Sequence, residues 1–342
     1  MLKQPPKPLL PILTRSAALV LMFFAVILVS VLSLRIGSIP ISNADAINAL
    51  MNYSADSYEQ TVVRTIRLPR TIIGLGVGAA LAVAGAAMQA ATRNPLADPS
   101  ILGVNSGAAF AIVTAMFFGL AVSPLQTLWF AFAGGLAASF LAFVLSSAGS
   151  GGASPAKLAL AGVIISTLLG SWTTALLLLN QQALNQVRFW LAGSLAGRDL
   201  EVFYAVLPFL TVGIVGMFLL SRPLNVLTLG EDTARSLGMH TGRMRLLVIL
   251  LVVFMTGASV AVAGPVGFVG LAVPHIVRAV AGTDQRWILL FSTLVGPLIL
   301  LVADIAGRVV ARPGELQVGI VTALIGAPIL IILARRRQTV ER

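Results

Sequence analysis

The chain has 342 residues, of which 58% are hydrophobic and only 10% carry a charge. A soluble domain of this length cannot bury so much apolar surface, so the composition excludes a water-soluble protein and indicates a polytopic membrane protein. The formal net charge of +11 does not indicate nucleic-acid binding, because the basic residues lie at the ends of apolar runs rather than in one patch. No cysteine is present, so disulfide bonds have no part in the fold.

A membrane-spanning helix needs about 20 apolar residues, and the chain contains about ten runs near that length. In chain order, the predicted spans are 17–34, 68–91, 101–120, 125–148, 158–179, 202–220, 246–263, 271–281, 287–310 and 318–333. The eighth run is too short to cross a bilayer unaided, and the GPVGFVG stretch before it predicts a broken or re-entrant segment. We therefore predict an all-α fold with one transmembrane domain over residues 1–342.

The first predicted span follows Lys3, Lys7 and Arg15 and has no small-residue cleavage site, so we interpret it as a retained anchor rather than a signal peptide. An even number of spans places both termini on one side of the membrane. The distribution of lysine and arginine between the two sides favours a cytoplasmic location for both termini, and the basic tail at residues 335–337 agrees with it.

Glycine pairs spaced four residues apart predict close contacts between helix backbones. These pairs are Gly74 with Gly78, Gly103 with Gly107, and Gly193 with Gly197. Dense packing without any transport role would explain them equally well.

Polar side chains lie within or beside several predicted spans, where they must face protein or water rather than lipid. The candidates for the transport path or for internal hydrogen bonds are Gln89, Asn94, Asn105, His275 and Asp304. A lone histidine after Pro274 is more typical of a structural residue than of a proton carrier. Arg308 lies one turn after Asp304, at the spacing that lets the two charges pair. Because Asp304 is the only acid within a predicted span, a relay of carboxylates is disfavoured.

The segment 221–245 is a charged island between the sixth and seventh predicted spans. Thr228 and Glu231 have the spacing of a capping box, and Gly238 is of the residue type that commonly ends a helix. We therefore predict a short capped helix over residues 228–238, outside the bilayer. Its apolar side is too small to form a core, which favours docking against a soluble partner, and an ordinary polar connector is the alternative.

No nucleotide-binding or catalytic motif is present in the sequence. The chain has no Gly-Lys dipeptide, hence no phosphate-binding loop, and it has no HExxH, CxxC or GxSxG motif. If ATP drives this protein, another chain binds it.

Six blocks follow one another along the chain: IRLPRTIIGLGVGAALAVAGAAMQ, RNPLADPSILGVNSGA, KLALAGV, SRPLNVLTLGEDTARSLG, VAGPVGFVGLAVPHIVR, and LVADIAGR with VGIVTALIGAPI. Together they closely resemble the permease subunits of type II ABC importers, the FecCD/BtuC-like family. The resemblance extends over residues 64–333. It implies import of an iron–siderophore complex across the inner membrane, with cobalamin or haem as alternative cargoes.

The resemblance also implies the assembly. Members of the family have ten helices per subunit and work as dimers of permeases, with the translocation path along the dimer interface. The implied partners are an ABC ATPase dimer that uses ATP and Mg²⁺, a periplasmic or lipid-anchored substrate-binding protein, and a second permease that is either a copy of this chain or a paralogue. The chain itself is then a multi-pass inner-membrane protein that is not an enzyme and binds no cofactor, metal or nucleic acid.

Site residues follow from the same resemblance. The family's cytoplasmic LGxxxAxxLG helix docks in a groove of the ATPase and falls on Leu229, Gly230, Glu231, Ala234, Arg235, Leu237 and Gly238. Outward-facing arginines that receive acidic residues of the binding protein correspond to Arg67, Arg70 and Arg308. Arg67 and Arg70 could instead anchor the end of a span, and Arg308 could be engaged fully by Asp304.

Some positions depart from the family pattern. Gln317 stands where a proline is usual before the last helix, and Gln285 stands where histidine is common. The loop 150–157 is poor in polar residues, so no gate residues are assigned.

A secondary transporter or channel driven by an ion gradient is the alternative from a different class. It predicts transport by the purified chain alone and a strong dependence on Asp304. A structural scaffold is a third possibility, and it predicts no cargo flux.

Overall fold

The computed structural model describes residues 12–121, 123–148 and 155–338. All regular secondary structure in those ranges is helical, as the composition predicts. Most of the loop 150–157, where the family's gate residues would lie, falls outside the described residues.

The helices follow the apolar runs of the sequence. They are α1 (Ile12–Arg35), α2 (Asn43–Met51), α3 (Tyr58–Val62), α4 (Leu68–Thr92), α5 (Val104–Phe117), α6 (Pro124–Ser147), α7 (Pro155–Leu179), α8 (Gln181–Leu191), α9 (Leu200–Leu219), α10 (Ser221–Thr228), α11 (Glu231–Ser236), α12 (Thr241–Ala263), α13 (Val269–Ala281), α14 (Gln285–Val310) and α15 (Val318–Gln338). A π-helical turn, Val63–Arg67, joins α3 to α4, and a 3₁₀ turn, Pro99–Leu102, precedes α5.

Within the described ranges, 7 helical segments are long and apolar enough to cross a membrane, which confirms a polytopic all-helical protein. They are Thr14–Arg35, Tyr58–Thr92, Pro124–Ser147, Pro155–Leu179, Leu200–Leu219, Thr241–Ala263 and Gln285–Val310. The third, eighth and tenth predicted spans correspond to shorter apolar helices, Val104–Phe117, Val269–Ala281 and Val318–Pro328. A helix of 14 residues such as α5 is only about 21 Å long, less than the hydrocarbon core. The prediction of about ten spans therefore stays a prediction for these three.

The predicted break after the seventh span is present. Helix α12 ends at Ala263, and the backbone leaves it through Gly264, whose φ of +72° suits glycine. The next helix, α13, begins only at Val269, after Phe268 in a left-handed conformation. Non-helical backbone at this depth needs protein around it. Here Gly264 lies against the backbone of Trp190 and Gly193, which supplies that cover.

Helix α4 is the centre of the bundle. In its most apolar 18-residue stretch 83% is buried, compared with 11% in the corresponding stretch of α1. Gly74 and Gly78 face α14, and a Cβ added at Gly78 would lie 2.7 Å from the Cα of Pro297. This confirms the first predicted glycine pair as a site of close backbone packing. Gly107 likewise packs against Gly134 of α6.

The other paired glycines, apart from Gly107, lie in turns and have a left-handed backbone. Gly103, Gly193 and Gly197 have φ values of +79°, +71° and +64° and lie in turns between helices. For Gly103 and Gly197 the prediction of close backbone packing was wrong, because the spacing of four residues is shared by turn glycines that need a left-handed backbone. Gly193 does lie against the backbone of Pro265 and Gly319.

The two ends of the bundle carry different polar groups. One end, which we call the arginine end, holds the start of α4 and the close of α14, with Arg70 bonded to Asp304. The opposite end, which we call the α11 end, holds α10, α11 and the start of α14. A hydrogen bond of 2.8 Å from Asn225 Nδ2 to Asp284 Oδ1 joins α10 to the cap of α14 there.

Candidate coupling and docking sites

The charged island forms two short helices, α10 and α11, instead of the one helix predicted. Helix α11 begins at Glu231 after Gly230, whose φ is +116°. Thr228 ends α10, and its hydroxyl donates to the carbonyl of Asn225 at 2.7 Å, so the predicted capping box is wrong. Gly238 does have the predicted left-handed backbone, with φ of +81°, and its N–H donates to the Arg235 carbonyl at 2.9 Å.

The exposed apolar side of this island consists of two leucines. Leu229 is 63% exposed and Leu237 is 64% exposed, whereas Ala234 is 0% exposed. The methyl group of Ala234 therefore points into the permease itself, and docking of this helix in a partner's groove stays a prediction. Any partner that approaches α11 meets the two leucines.

Glu231 fixes α11 to the start of α12. Its carboxylate accepts hydrogen bonds from Arg235 at 2.8 Å and from Arg245 and the Thr241 hydroxyl at 3.4 Å each. Partial burial acts to raise the pKa of Glu231, but the charges of Arg245 and Arg235 outweigh it, so the pKa lies below its ordinary value. Helix α11 is thus held against the start of α12 by these contacts of Glu231.

Asn225 connects the island to α14. Its side-chain amide donates to Asp284 at 2.8 Å, and its Oδ1 accepts from the Gln285 N–H at 2.8 Å. Asp284 caps α14 by accepting from the Arg286 N–H at 3.0 Å. The sequence analysis missed Asn225, because nothing in the spacing links a residue in α10 to one 59 positions later.

At the arginine end, Asp304 is fully buried and serves two cations. Arg70 donates to it through Nε, at 2.9 Å from both carboxylate oxygens, and through Nη2 at 2.7 Å. Arg308 Nη2 lies 3.1 Å from the other side of the same carboxylate, which confirms the predicted pair one turn apart. The contact with Arg70, 234 positions away, was not foreseen.

Arg67 and Arg308 satisfy backbone groups at the end of α1. Arg67 Nη1 donates to the carbonyls of Leu34 and Arg35 at 3.0 and 2.6 Å. Arg308 donates to the carbonyl and hydroxyl of Ser33 at 2.9 and 2.8 Å. Arg67 and Arg70 are only 4% exposed and Arg308 only 2%. Internal acceptors take up these guanidinium groups in the isolated chain, and their contact with a binding protein stays a prediction.

Glu315, in the loop before α15, is a further acid that the sequence analysis missed. It accepts from Arg70 Nη1 at 2.6 Å and from the Ser38 hydroxyl at 3.3 Å. Burial acts to raise the pKa of Glu315, but the hydrogen bond from Arg70 outweighs it and the pKa is lowered. The only signal for it in the sequence was its place in the GELQVG stretch.

Comparison with known proteins establishes the family of the chain. The model of the FecCD transport family matches residues 25–336. The chain belongs to this family. The Fe(3+)-citrate import system permease protein YfmD of Bacillus subtilis is 42% identical over 96% of the chain and 98% of the relative. The ferric enterobactin transport system permease protein FepD of Escherichia coli is 45% identical over 95% of the chain and 96% of the relative. A solved structure described as an inward-facing conformation of a metal-chelate type ABC transporter has a TM-score of 0.82 and 32% identity, and the match covers 94% of this chain and 99% of that one.

Membership of the FecCD family has direct consequences. The chain is a permease subunit of an ABC importer and not an enzyme, and a separate subunit is the ATPase. Its apolar helices make it a multi-pass protein of the inner membrane. Importers of this class work with an ATPase and a substrate-binding protein.

The polar candidates of this FecCD permease fall into different environments. Gln89 is buried, donates to the carbonyls of Gly270 and Leu271 at 3.3 Å each, and accepts from Arg278 at 2.6 Å. It therefore joins α4 to α13, and a role in the path stays a prediction. Asn94 is exposed, and its Oδ1 accepts from the Leu96 N–H at 3.0 Å in a turn. For Asn105 and His275, which are partly buried, a role in the path stays a prediction.

Proposed function

We propose that this FecCD permease carries a ferric siderophore or related ferric chelate across the inner membrane. The two relatives described above support this cargo, because their names specify ferric citrate and ferric enterobactin. Cobalamin and haem are the alternative cargoes. The chain binds no cofactor or metal of its own in this proposal, and ATP with Mg²⁺ is used by a separate ATPase dimer.

We propose that the ATPase binds this permease at the exposed side chains of Leu229 and Leu237. Two large apolar side chains, each more than 60% exposed, stand on a polar segment outside the apolar helices. Exposed apolar groups in such a setting indicate a protein contact. A movement of segment 221–245 would be transmitted to α12 by the bond between Glu231 and Arg245. It would be transmitted to α14 by the bond between Asn225 and Asp284.

The orientation is part of the same proposal. The α11 end, with segment 221–245, faces the cytoplasm together with both termini, as the distribution of basic residues favours. The arginine end faces the periplasm and a periplasmic or lipid-anchored binding protein. Residues 1–342 act as one permease domain.

Helix α7 offers the surface for a second permease, either a copy or a paralogue. Only 17% of its most apolar 18-residue stretch is buried. One face of the helix exposes three hydroxyl side chains, those of Thr167, Ser171 and Thr174. Each hydroxyl donates to the carbonyl four residues earlier at 2.9 Å, so the face is weakly polar without unpaired donors. Such a face suits a path between two subunits for a cargo that is held weakly.

The test replaces both exposed leucines by serine. We expect the Leu229→Ser, Leu237→Ser variant to reach the membrane in normal amounts, to lose the ATPase on purification in mild detergent and to lose ATP-driven iron uptake. Leu120→Ser is the matched control, because Leu120 is 58% exposed at the opposite end of the bundle. Ala234→Arg is unsuitable, since Ala234 is buried. Normal uptake by the double variant contradicts the coupling proposal, and uptake by the purified permease without any ATPase favours the ion-driven carrier.

A further inference from the structure

A cavity of about 780 Å³ lies at the arginine end, between α5, α6, α8 and the start of α9. Its polar lining includes Arg198 and the amide side chains of Gln182 and Gln186, and its aromatic lining includes Phe189 and Trp190. A volume of this size is typical of small-molecule sites, which combine apolar walls with a few polar groups.

Arg198 lies in this cavity without a counter-charge. Its Nε is buried and has no hydrogen-bond acceptor, and the side chain forms no ion pair with any residue that the structure describes. Asp199 also lines the cavity but is exposed and does not pair with it. Burial lowers the pKa of Arg198, and no nearby carboxylate opposes that effect. The residue as a whole is only partly buried, so the guanidinium nitrogens other than Nε are open to the cavity as a cation that no described carboxylate pairs.

Trp190 lies in the wall of the same cavity. The residue is 5% exposed, and its indole Nε1 is buried with no acceptor among the described residues. Because this nitrogen and Arg198 Nε are both sealed from the cavity, a ligand there would bond to the outer guanidinium nitrogens of Arg198 and pack against the Trp190 ring.

We propose that Arg198, Trp190 and Gln186 form a binding site for an anionic ferric chelate that enters the permease at the arginine end. The carboxylate or catecholate oxygens of such a chelate accept charge-assisted hydrogen bonds from Arg198, while the aromatic rings cover its apolar parts. This inference rests on the proposed function, since it takes the ligand to be the cargo. Anionic oxygens also occur in the phosphate of a lipid headgroup, and the experiment separates the two sources.

The experiment measures chelate binding to the complete transporter in nanodiscs of neutral phosphatidylcholine. Equilibrium dialysis uses radioactive iron in ferric citrate and ferric enterobactin, both anionic, and in a neutral ferric trihydroxamate. We expect Arg198→Gln to weaken binding of an anionic chelate about tenfold and to leave the neutral one unchanged, because the loss of one charge-assisted hydrogen bond is of that order. Arg198→Lys should retain part of the affinity.

Two further variants control for folding and for general charge. Gln186→Leu removes a polar side chain from the cavity lining without altering the net charge, and it should also weaken binding of the anionic chelate. Arg64→Gln, at an exposed arginine that stacks on the Tyr53 ring 4.6 Å away, should bind like the wild type. Thermal unfolding of Arg198→Gln should occur at the wild-type temperature or above, because the variant removes a partly buried charge that has no ion pair among the described residues.

The outcomes are distinct. Equal affinity in Arg198→Gln and the wild type, or no binding of any probe by the wild type, overturns the site. Displacement of the chelate by added phosphatidylglycerol, seen only when Arg198 is present, assigns the site to a lipid phosphate and overturns the cargo assignment. ATP-driven uptake is measured on the same samples: its absence in the wild type contradicts the proposed function, whereas uptake that is insensitive to Arg198→Gln contradicts only the site.

Discussion

The buried carboxylate of Asp304 pairs with two arginines, so its replacement by asparagine should strongly destabilise the fold. In Asp304→Asn, an amide would face the Nε and Nη2 groups of Arg70, and Arg308 would keep only its bonds to Ser33. Removal of one partner from a buried ion pair costs about 3–5 kcal/mol, and here one change affects two cations. That is a large part of the roughly 5–15 kcal/mol that separates folded from unfolded protein.

The assay is unfolding of the purified variant in mild detergent, followed by tryptophan fluorescence against denaturant concentration. Asp199→Asn is the matched control, because Asp199 is an exposed carboxylate with no ion pair within the described residues, and its free energy of unfolding should change by less than about 0.5 kcal/mol. The free energy of unfolding should fall less in the double variant Asp304→Asn, Arg308→Met than the sum of the two single decreases, since the two residues share one interaction.

A loss below about 1 kcal/mol in Asp304→Asn would refute the assignment of this carboxylate as the centre of the arginine end. The same variant separates the two classes of transporter. In an ATP-driven permease, the fraction that remains folded keeps its ATP-dependent uptake, because Asp304 holds the structure together and carries no proton. An ion-driven carrier would lose transport even where folding is intact.

Two further predictions concern the opposite ends of the bundle. Arg67→Lys replaces a planar guanidinium group that donates to the carbonyls of Leu34 and Arg35. The variant should lower the free energy of unfolding by about 1–2 kcal/mol and speed proteolysis between residues 36 and 57. The control Arg64→Lys should change neither. Because the pKa of Glu231 in the folded protein is below its ordinary 4.5, its stabilising contribution is present above that pH and is lost as the pH falls through the lowered value. Retention of the ATPase on the purified permease should therefore decline at acid pH in the wild type and depend less on pH in Glu231→Gln. The energy involved is below about 1 kcal/mol, since the side chain is 33% exposed.

Features that depend on neighbours in sequence were predictable. The helices follow the apolar runs, the break at Gly264 follows from the glycines and proline around it, and the pair Asp304 and Arg308 follows from helix geometry. Each of these depends on residues within about one or two turns of each other.

Features that depend on tertiary packing were not predictable. The direction of Ala234 is set by how a one-turn helix lies against α12, and spacing alone cannot give the rotation of such a short element. The bonds of Arg70 to Asp304 and of Asn225 to Asp284 join residues distant in sequence. The family resemblance assigned Arg67, Arg70 and Arg308 to an outward docking surface. In the structure, backbone carbonyl groups at the end of α1 accept from Arg67 and Arg308, and Asp304 accepts from Arg70.

Helix α14 reaches both of the regions discussed above. It has 26 residues, about 39 Å of continuous helix, with Asn225 bonded to its cap at one end and Asp304 near the other. Pro297, near its middle, is where Gly78 of α4 lies against its backbone. A movement imposed at Asp284 would therefore reach Asp304 along a single helix, through the point where Pro297 packs on α4.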